Sequence, residues 1–304
     1  MQITRHILMI RPVDFKFNPQ TAENNKFQSQ AAAGIDSVQQ RALAEFDGFA
    51  ATLRREGVDV TVVDDTFEPE TPDSIFPNNW VSFHEDGRAY MYPMFSENRR
   101  RERRPDILDQ LATKFRLESV EDLSNFENTA RYLEGTGSMV LDRDNKIAYA
   151  CRSVRTDTEV LQDFCTRAGY RPVIFSAQDA SGYPVYHTNV MMCVGDGFVL
   201  SCFDAIPDAG EREQLIGVIR STGKEIIAIG LDQMNRFAGN MLQIQGRQEK
   251  LIVMSQQAFQ SLLPAQTGIL EKYGKIIYAP LHTIETNGGG SARCMLAEIH
   301  LPEN

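Results

Sequence analysis

The feature that most constrains the fold of this chain is a pattern of secondary structure that recurs about five times. Each unit reads as two strands across a tight turn, then an amphipathic helix, then one further strand, with a period of about 50–60 residues. Turns such as Glu85–Gly87 and Gly195–Gly197 separate the paired strands. The copies share no visible sequence identity, so the repetition is one of architecture. A period of this kind is typical of units that surround an axis or stack in a row.

The same pattern predicts where the elements lie. The predicted helices are at residues 38–56, 103–115, 156–168, 211–222 and 255–263. The predicted last strand is at residues 291–301. A polar segment at residues 14–34 has few apolar anchors and is predicted to be a loop or flap. Because no linker rich in proline, glycine or serine divides the chain, we expect one α/β domain over residues 1–304.

Charge and hydropathy limit the partners of the chain. It has 304 residues and a net charge of −10, with a pI of about 5.1. This charge repels phosphates, so neither nucleic acid nor an anionic membrane is an expected partner. The sequence contains no apolar run of about 18 residues that would predict a transmembrane helix. Residues 1–12 lack the long apolar stretch and the cleavage site of a signal peptide, and we therefore expect a cytoplasmic protein.

Cysteine and histidine patterns give no indication of a metal site. The chain has five cysteines, an odd number, and no pair has C-x-x-C spacing. In a reducing compartment most of them should be buried as small apolar side chains. His6, His84, His282 and His300 have no second ligand at a spacing typical of zinc. We expect neither a metal nor an organic cofactor.

Three short segments contain residues that could carry chemistry. Asn287–Cys294 has three successive glycines before a cysteine, and a bare backbone of this kind lets a ligand approach closely. Tyr186–Asn189 places a histidine before an apolar strand, and histidine can act as an acid and a base near neutral pH. Leu133–Ser138 places Glu134 in a turn loosened by glycine. Each segment alone is more commonly a surface loop, a structural histidine or a solvated carboxylate.

The three segments share a position, because each one opens a strand pair in a different repeat. Pro72–Trp80 and Asn235–Leu242 open two further strand pairs in the same way. In a pseudo-symmetric ring, such junctions converge on one central cavity. The cysteine, the histidine and the glutamate are therefore predicted to form one site, in which asparagine, aspartate and arginine side chains hold the polar end of a small ligand.

The order of these motifs resembles that of the pentein superfamily of guanidine-modifying enzymes. The superfamily includes arginine deiminase, dimethylarginine dimethylaminohydrolase, agmatine deiminase and the amidinotransferases. Asn287–Cys294 is similar to its catalytic cysteine signature, and Leu133–Gly135 to the start of its E-G-G-D motif. Tyr186–Asn189 occupies the place of its H-x-D motif, and Pro72–Phe76 is similar to the dimethylarginine hydrolase pattern around the substrate-binding acids. The resemblance covers nearly the whole chain and implies a five-bladed ββαβ propeller.

Within the superfamily, the chain most resembles the amidinotransferase-like citrulline-utilisation hydrolases. The shared strings are Phe-Pro-Asn-Asn-Trp at residues 76–80 and Gly-Gly-Gly-Ser-Ala-Arg-Cys at residues 288–294. The resemblance implies covalent catalysis, in which Cys294 as thiolate attacks the central carbon of a planar C–N group. It also implies that His187 protonates the leaving amine and then activates water or a second amine. Glu134 would orient the substrate nitrogens.

Three departures from the superfamily pattern bear on the substrate. Asn79 and Asn189 stand where deiminases have aspartates, and Gly137 stands at the fourth position of E-G-G-D. An asparagine amide offers both donors and an acceptor without charge. Such a site suits a neutral ureido group better than a guanidinium, and Asn78 or Asn79 could donate to its carbonyl oxygen. The favoured substrate is citrulline, cleaved to ornithine, ammonia and carbon dioxide.

Other functions stay open at this point. An amidinotransferase would use the same nucleophile with an amine as acceptor, and an arginine-type deiminase or a dimethylarginine hydrolase would act on a guanidinium. A catalytically silent binding protein of the same fold is a further alternative, although the complete set of Cys294, His187 and Glu134 argues against it. The expected partner is a small-molecule amino acid, and the sequence is compatible with a homo-oligomer.

The residues that hold the amino-acid end of the substrate are harder to predict. Asp73 could pair with an α-ammonium group, and Arg236 with an α-carboxylate. Arg293 is a weaker candidate, because alternation in a strand would point it away from Cys294. Asn240 is assigned no more than a structural role. The basic run at residues 99–104 is interpreted as the solvated start of a helix, partly paired with nearby acids, because it has no interleaved aromatic residues.

The asparagines lead to a first prediction about the substrate. We expect the purified protein to release ammonia from citrulline in preference to arginine, because a site with few carboxylates stabilises a guanidinium poorly. Ammonia release across citrulline, arginine, agmatine and methylated arginines measures this. Release from arginine without release from citrulline would show that the interpretation of Asn79 and Asn189 is wrong.

Overall fold

A computed structural model describes residues 1–29 and 35–304 of the chain. The strands of this part are β1 His6–Arg11, β2 Asp59–Asp64, β3 Val81–Phe83, β4 Arg88–Met91, β5 Ser119–Asp122, β6 Met139–Asp142, β7 Ile147–Arg152, β8 Arg171–Ser176, β9 Met192–Val194, β10 Phe198–Ser201, β11 Glu225–Ala228, β12 Leu242–Gln245, β13 Lys250–Ser255, β14 Lys275–Ala279 and β15 Ala297–Glu298. The helices are α1 Pro19–Ala22, α2 Ile35–Arg55, α3 Glu97–Arg100, α4 Pro105–Ala112, α5 Gly135–Ser138, α6 Thr158–Ala168, α7 Thr188–Met191, α8 Ala209–Ser221, α9 Leu231–Asn235, α10 Gln256–Ser261, α11 Pro264–Leu270 and α12 His282–Gly288.

Over the described residues, the strands form five three-stranded sheets, with orders β15-β1-β2, β3-β4-β5, β6-β7-β8, β9-β10-β11 and β12-β13-β14. In every sheet the middle strand pairs antiparallel with one neighbour and parallel with the other. Helices connect the two parallel strands, as such a crossover requires. This is the ββαβ unit expected from the sequence, present five times, and the predicted five-bladed architecture is confirmed.

The first sheet combines strands from the two ends of the sequence. β15 pairs antiparallel with β1, so that Leu8 lies opposite Ala297 and Ile7 opposite Glu298. β1 also pairs parallel with β2 over its whole length. The sheet therefore closes the series of blades, and it holds the segment that contains Cys294 against the start of the chain.

Local sequence explains why the helices begin and end where they do. α6 begins after Asp157, whose side chain accepts hydrogen bonds from the backbone N–H groups of Glu159 and Val160. It ends at Gly169, which has a φ of 73° and so adopts the left-handed conformation that favours glycine. Phe164, on its buried face, belongs to an apolar cluster that also contains residues of β6 and β7. The amphipathic pattern is thus satisfied by packing on the sheet of the same blade.

A short turn precedes the first strand of each blade. Two of these turns are 3-10 helices at residues 77–79 and 292–295, and two are the single-turn helices α5 and α7. The fifth, at residues 237–240, is closed by a hydrogen bond from the Asn240 N–H to the Phe237 carbonyl. The turn at 77–79 contacts both α5 and the turn at 292–295, and α5 contacts α7. The junctions therefore meet, as their shared position predicted.

Some predicted boundaries were wrong, for local reasons. The predicted strand at 291–301 is a 3-10 turn followed by a short β15, because Arg293 N–H donates to Asn240 Oδ1 and Cys294 N–H to the Ser291 carbonyl instead of to a neighbouring strand. The helix predicted at 103–115 is the shorter α4, which begins at Pro105 as a proline at the first helical position favours. β5, α11 and α12 were not predicted.

The polar segment at residues 14–34 was predicted to be a loop or flap. Residues 30–34 of that segment lie outside the described residues. Its described part forms the one-turn helix α1 and an irregular stretch that ends at Ser29, whose N–H donates to the Thr286 carbonyl. We refer to residues 18–28 as the cover segment. In the described part of the chain, the helices are all too short or too polar to cross a membrane.

The closing sheet leads to a prediction about stability. Leu8 is fully buried in β1, so Leu8→Ala is expected to lower the free energy of unfolding by about 2–5 kcal/mol through lost burial and the cavity left behind. Leu263→Ala is the matched control, because Leu263 is 59% exposed. The same truncation there should change the free energy of unfolding by about 0.5 kcal/mol or less. Urea unfolding measures both. Equal losses for the two variants would contradict the packing described.

Candidate active site

The junctions line a small cavity beneath the cover segment. Its lining residues are Thr21, Asn25, Asp73, Phe76, Asn79, Arg99, Arg155, Tyr186, His187, Gly288, Gly290 and Cys294. The cavity has about 10 Å³ of room for the centre of a water molecule, which is space for about one water. An amino acid does not fit in that volume, so the structure describes a closed state of the site.

Cys294 contributes a buried sulfur to this cavity. Its residue is 3% exposed and lies in the 3-10 turn at residues 292–295. The nearest hydrogen-bond donors to Sγ are two amides, Asn240 Nδ2 at 3.2 Å and Asn189 Nδ2 at 3.6 Å. Burial raises the pKa of the Cys294 thiol, whereas the Ser291 backbone, the Asn240 amide, the charge of Arg293 and the Asn189 amide lower it. The net direction is upward, so the sulfur needs a base or a substrate to become a full thiolate at neutral pH.

His187 and Glu134 form a buried pair on the same cavity. His187 Nε2 lies 2.8 Å from Glu134 Oε2, and both side chains are almost fully buried. Burial lowers the pKa of His187 to about 4, although the hydrogen bond to Glu134 opposes that change. Glu134 titrates below its ordinary range: burial opposes this shift, but Arg155, His187 and Arg99 outweigh it and lower its pKa. At neutral pH the pair therefore consists of a carboxylate and a neutral imidazole.

These charge states fix the tautomer of the histidine. An ionised carboxylate can only accept a hydrogen bond, so Nε2 of His187 must carry the proton that it donates to Glu134. Nδ1 then has a free lone pair, and it has no hydrogen-bond partner among the described residues. His187 is thereby prepared to accept a proton from the cavity, as a general base does.

The backbone around the histidine is fixed by its neighbour. Thr188 Oγ1 donates to the Ser138 carbonyl at 2.5 Å and accepts from the Cys151 N–H at 2.8 Å. These bonds join the turn of α7 to the preceding blade, on which Glu134 lies. The relative position of His187 and Glu134 is therefore set by hydrogen bonds between the Thr188 hydroxyl and the main chain of the preceding blade.

Two arginines surround the carboxylate of Glu134. Arg155 Nη1 lies 3.4 Å and Arg99 Nη1 3.7 Å from its Oε2. Arg99 also forms a two-pronged pair with Glu102, with distances of 2.8 and 2.9 Å. All these groups are buried, so each charge depends on its partners for solvation. The cavity consequently has cationic groups on one side and the thiol on another.

Arg99 also determines how Asn79 presents its amide. Arg99 Nη1 donates to Asn79 Oδ1 at 2.8 Å, so the amide oxygen faces the guanidinium. The Nδ2 group donates to Asn78 Oδ1 at 3.0 Å with one hydrogen, and the second has no acceptor among the described residues. Asn79 therefore offers a free donor hydrogen, and its oxygen already accepts one hydrogen bond from Arg99.

Asp73 carries an oxygen without a partner. Its Oδ2 accepts from Asn18 Nδ2 at 2.7 Å and from Thr21 Oγ1 at 3.2 Å. Its Oδ1 is buried and makes no hydrogen bond within the described structure. A buried carboxylate oxygen of this kind is costly unless a ligand donates to it. Burial accordingly raises the pKa of Asp73, and Arg99 only partly offsets that effect.

The cover segment is held closed by polar contacts to the site. Arg155 Nε donates to Asn24 Oδ1 at 2.7 Å, and its Nη2 donates to the Thr21 carbonyl at 3.0 Å. Asn25 Nδ2 reaches the Gly289 carbonyl at 3.3 Å. Gly289 has a φ of 64° where α12 ends, and a Cβ there would meet the Asn25 side chain. The run of glycines was considered as a flexible loop, and instead it packs tightly under the cover.

The chain matches one protein family along nearly its whole length. A family model described as N,N dimethylarginine dimethylhydrolase, eukaryotic, matches residues 11–301. The chain belongs to this family. The dimethylarginine dimethylhydrolase family lies within the pentein superfamily, so the resemblance found in the sequence is confirmed. Its members are hydrolases that act on C–N bonds of guanidino compounds, which confirms the expected class of enzyme. No curated protein sequence matches the chain.

Solved structures show the same fold at low sequence identity. ArgZ, an arginine dihydrolase from the ornithine-ammonia cycle in cyanobacteria, is 18% identical with a TM-score of 0.75 over 98% of this chain, which spans only 41% of ArgZ. The N-terminal domain of ArgZ, with substrate bound, is covered to 98% with a TM-score of 0.74 and 18% identity. A dimethylarginine dimethylaminohydrolase, solved as an adduct with S-methyl-L-thiocitrulline, is 16% identical with a TM-score of 0.65, covering 97% of this chain and 99% of that one.

The fold of this family brings most of the predicted site residues together. Cys294, His187, Asp73 and Asn79 line the cavity, and Glu134 lies directly behind His187. Asn189 touches the sulfur. The catalytic and binding roles assigned to these residues stay predictions.

Two predicted residues do not line the cavity. Asn78 lies behind Asn79, where it donates to Thr136 Oγ1 at 3.3 Å. Arg236 is exposed at the end of α9, so the choice of this residue for the substrate carboxylate has no support. Arg293 is also turned away, since it pairs with Glu298 at 2.8 Å.

Sequence reasoning missed both arginines of the cavity. Arg99 was interpreted as part of a solvated helix start, and this was wrong, because it is 2% exposed and pairs inward with Glu102. The three-residue spacing of Arg99 and Glu102 on a helical turn was an available signal. Arg155 stands alone after β7 and gave no comparable signal. Arg104 does pair with Asp106, at 2.6 Å, as the helix-start interpretation predicted for that run.

Cys294 differs from the other cysteines of the chain in its surroundings. All five are free and buried. Burial raises the pKa of Cys151 and Cys202 to about 11, and that of Cys165 and Cys193 to about 12. These four are inert apolar residues, as expected for most of the cysteines. Within the described residues, no group of three or more histidine, cysteine or acidic side chains is arranged to hold a metal ion.

Close packing at Gly137 leads to a prediction about activity. A Cβ at Gly137 would lie 2.5 Å from Asn79 Nδ2 and 2.7 Å from His187 Nδ1. Gly137→Ala is therefore expected to displace both side chains and lower kcat by about 100-fold or more, since displacements of about 1 Å can cost this much. Gly217→Ala is the control, because that position in α8 has no atom within 4 Å of the added methyl. Ammonia release and circular dichroism measure the effect, and unchanged turnover in Gly137→Ala would contradict the geometry.

Proposed function

We propose that this protein is a cysteine-dependent hydrolase of a neutral ureido amino acid, with citrulline as the favoured substrate. The products would be ornithine, ammonia and carbon dioxide. Cys294 is the nucleophile, His187 is the acid and base, and Glu134 orients His187. The chain shares its family with hydrolases of guanidino compounds. The proposal therefore concerns whether the carbon that Cys294 attacks belongs to a ureido or to a guanidino group.

The observation that carries this proposal is the chemistry of the groups that face the sulfur. Asn240 and Asn189 present N–H donors to Sγ, and Asn79 presents a free N–H on the side away from Arg99. A guanidinium consists of N–H donors only, so it would meet donors in this part of the site. A ureido group has a carbonyl oxygen that accepts hydrogen bonds. The free N–H of Asn79 thus matches the neutral group and can stabilise the negative charge that its oxygen gains during attack.

The steps follow from the charge states of the site. The neutral His187 takes the proton of the Cys294 thiol through Nδ1 as the sulfur bonds to the ureido carbon. The imidazolium then gives this proton to the terminal nitrogen, the C–N bond breaks, and ammonia leaves a thiocarbamate on the sulfur. Water attacks the same carbon while His187 accepts one of its protons, the C–S bond breaks, and the imidazolium returns this proton to the sulfur. The carbamic acid of ornithine is released and loses carbon dioxide.

The ends of the amino acid also find partners in the cavity. The free Oδ1 of Asp73 can accept from an ammonium or from a ureido N–H. Arg155 can pair with an α-carboxylate if it releases Asn24 and the Thr21 carbonyl of the cover segment. Substrate binding would then replace the contacts that keep the cover closed. Arg155 takes the role in the proposal that the sequence analysis assigned to Arg236.

Arginine is the second candidate substrate. It is supported by the two carboxylates Asp73 and Glu134 near the cavity and by the likeness to ArgZ, an arginine dihydrolase. The arrangement of Asn79 supports it less well, because the amide oxygen already accepts from Arg99 and the free hydrogen of the amide is a donor, as are all the N–H groups of a guanidinium. An amine as acceptor in place of water, as in an amidinotransferase, has no specific support in the residues of the cavity.

Charge-changing variants test the choice between the two substrates. Asn79→Asp and Asn189→Asp add acceptors near the reacting carbon, so the ratio of kcat/KM for arginine to that for citrulline is expected to rise by about tenfold or more in at least one of them. Asn128→Asp, on an exposed 3-10 turn, is the matched control and should leave the ratio unchanged. Ammonia and ornithine formation from each substrate give the ratio.

Two results would count against the proposal. The first is a wild-type protein that turns over arginine and not citrulline. The second is ammonia release that survives Cys294→Ser, since a serine hydroxyl in this site lacks the acidity of a thiol. Mass spectrometry of the protein quenched during turnover adds a direct readout, because a thiocarbamate on Cys294 increases its mass.

A further inference from the structure

Asn240 lies at a position that recurs in the blades. Counting back two or three residues from the first strand of each blade gives Asn79, Gly137, Asn189, Asn240 and Cys294. The cysteine is thus the member of this set contributed by the closing sheet. Three of the other four members are asparagines, and two of these lie against the sulfur. The repeated architecture therefore surrounds one thiol with amide groups from neighbouring blades.

The orientation of the Asn240 amide is fixed by two backbone groups. Its Oδ1 accepts from the Arg293 N–H at 3.0 Å, and its Nδ2 donates to the Asn189 carbonyl at 2.9 Å. A flipped amide would place the NH₂ group against an N–H and the oxygen against a carbonyl. The flipped form is therefore excluded. The atom of Asn240 that lies 3.2 Å from Sγ is a nitrogen with a hydrogen to donate.

The shortest side-chain contacts of the sulfur are ones that its charged form accepts. As a thiol, Cys294 could donate to Asn240 Oδ1 at 3.6 Å or to Asn189 Oδ1 at 3.9 Å. As a thiolate, it accepts from the two Nδ2 groups at 3.2 and 3.6 Å. The contacts that serve the thiolate are the shorter ones. Asn240 makes the shortest of them.

Cations give the sulfur no comparable contact. The neighbouring Arg293 directs its guanidinium to Glu298 and to the Leu296 carbonyl. Arg99 and Arg155 pair with Glu134. A ureido substrate is itself neutral, so it brings no positive charge to the thiolate either. Arg293 therefore acts on the thiolate only through its charge, without a hydrogen bond to the sulfur, and the direct contacts that stabilise the thiolate are hydrogen bonds from uncharged donors.

We infer that Asn240 is a catalytic residue whose Nδ2–H group donates to Cys294 Sγ and stabilises the thiolate that attacks the substrate. Its Oδ1 bond to the Arg293 N–H keeps that donor aimed at the sulfur. Asn189 makes a second and longer bond of the same kind. The argument that the substrate contributes no charge rests on the proposed function, whereas the donation itself concerns the free enzyme.

The test measures the thiolate without any substrate. The rate of Cys294 alkylation by iodoacetamide, followed by mass spectrometry against pH, gives the pKa of the sulfur in the purified protein. Asn240→Ala is expected to raise this pKa by about one unit, which lowers the thiolate fraction near pH 7 about tenfold. Asn189→Ala should have a smaller effect. Asn78→Ala is the matched control, because Asn78 is a buried asparagine of another junction that does not touch the sulfur. This variant should leave the pKa of Cys294 unchanged.

A readout on the unmodified site covers the case in which Asn240→Ala does not fold. In wild-type protein labelled with ¹⁵N-asparagine, at least one side-chain amide resonance should titrate at the same midpoint as Cys294 alkylation. The same titration should vanish in Cys294→Ser. If no asparagine side chain follows the cysteine, or if a folded Asn240→Ala keeps the wild-type pKa, the inference is wrong. Because no substrate is present, either result is independent of whether citrulline or arginine is hydrolysed.

Discussion

The buried carboxylate of Glu134 is the group on which the geometry of the site depends. A charge removed from water is costly unless partners replace its hydration, and here the partners are His187, Arg155 and Arg99. Each partner connects the carboxylate to a different part of the molecule. His187 belongs to the next blade, and Arg155 holds the cover segment through Asn24. Removing one partner of such a buried set typically lowers the stability of the protein by about 3–5 kcal/mol. A change at one of these residues is therefore expected to disturb the others as well. The same carboxylate fixes the tautomer of the histidine and leaves Nδ1 as its basic atom.

The blades explain how residues far apart in sequence come to surround one thiol. Every blade begins with a turn whose hydrogen bonds are local, and five such turns meet where the sheets do not extend. A single position in each turn then supplies one side chain to the centre, or none where Gly137 stands. The chemistry of the centre can change by substitution at these positions without any change in the sheets. Amides at Asn79, Asn189 and Asn240 make this set of positions rich in uncharged donors, which under the proposed function would suit the negative charge of a thiolate and of a developing oxyanion.

The sequence was sufficient for the architecture and for the residues that meet at the centre, but not for the periphery of the site. Alternation and turn signals repeat strongly enough to give the ββαβ unit, and the junction argument correctly brought Cys294, His187 and Glu134 to one place. The failures have physical causes. Whether Arg99 faces solvent or Glu134 depends on how α3 packs, and a run of arginines carries no information about that. Arg236 and Arg155 are both single arginines in irregular segments, so only tertiary structure separates them. The strand predicted around Cys294 failed because Asn240, from another blade, takes the N–H of Arg293.

The closed state connects substrate binding to access. Under the proposed function Arg155 would have two roles that exclude each other, since its Nε and Nη2 now donate to the cover segment and would have to donate to a ligand instead. A ligand with a carboxylate competes for these donors with Asn24 and the Thr21 carbonyl, and a charged acceptor binds arginine more strongly than neutral oxygens do. Asp73 is in a comparable state, because Asn18 and Thr21 of the cover occupy one of its oxygens and leave the other unpaired. The cover thus satisfies the polar groups of the closed site only in part. An amino acid with both an ammonium and a carboxylate would supply what each group lacks, which favours a zwitterionic substrate over an agmatine-like one without a carboxylate.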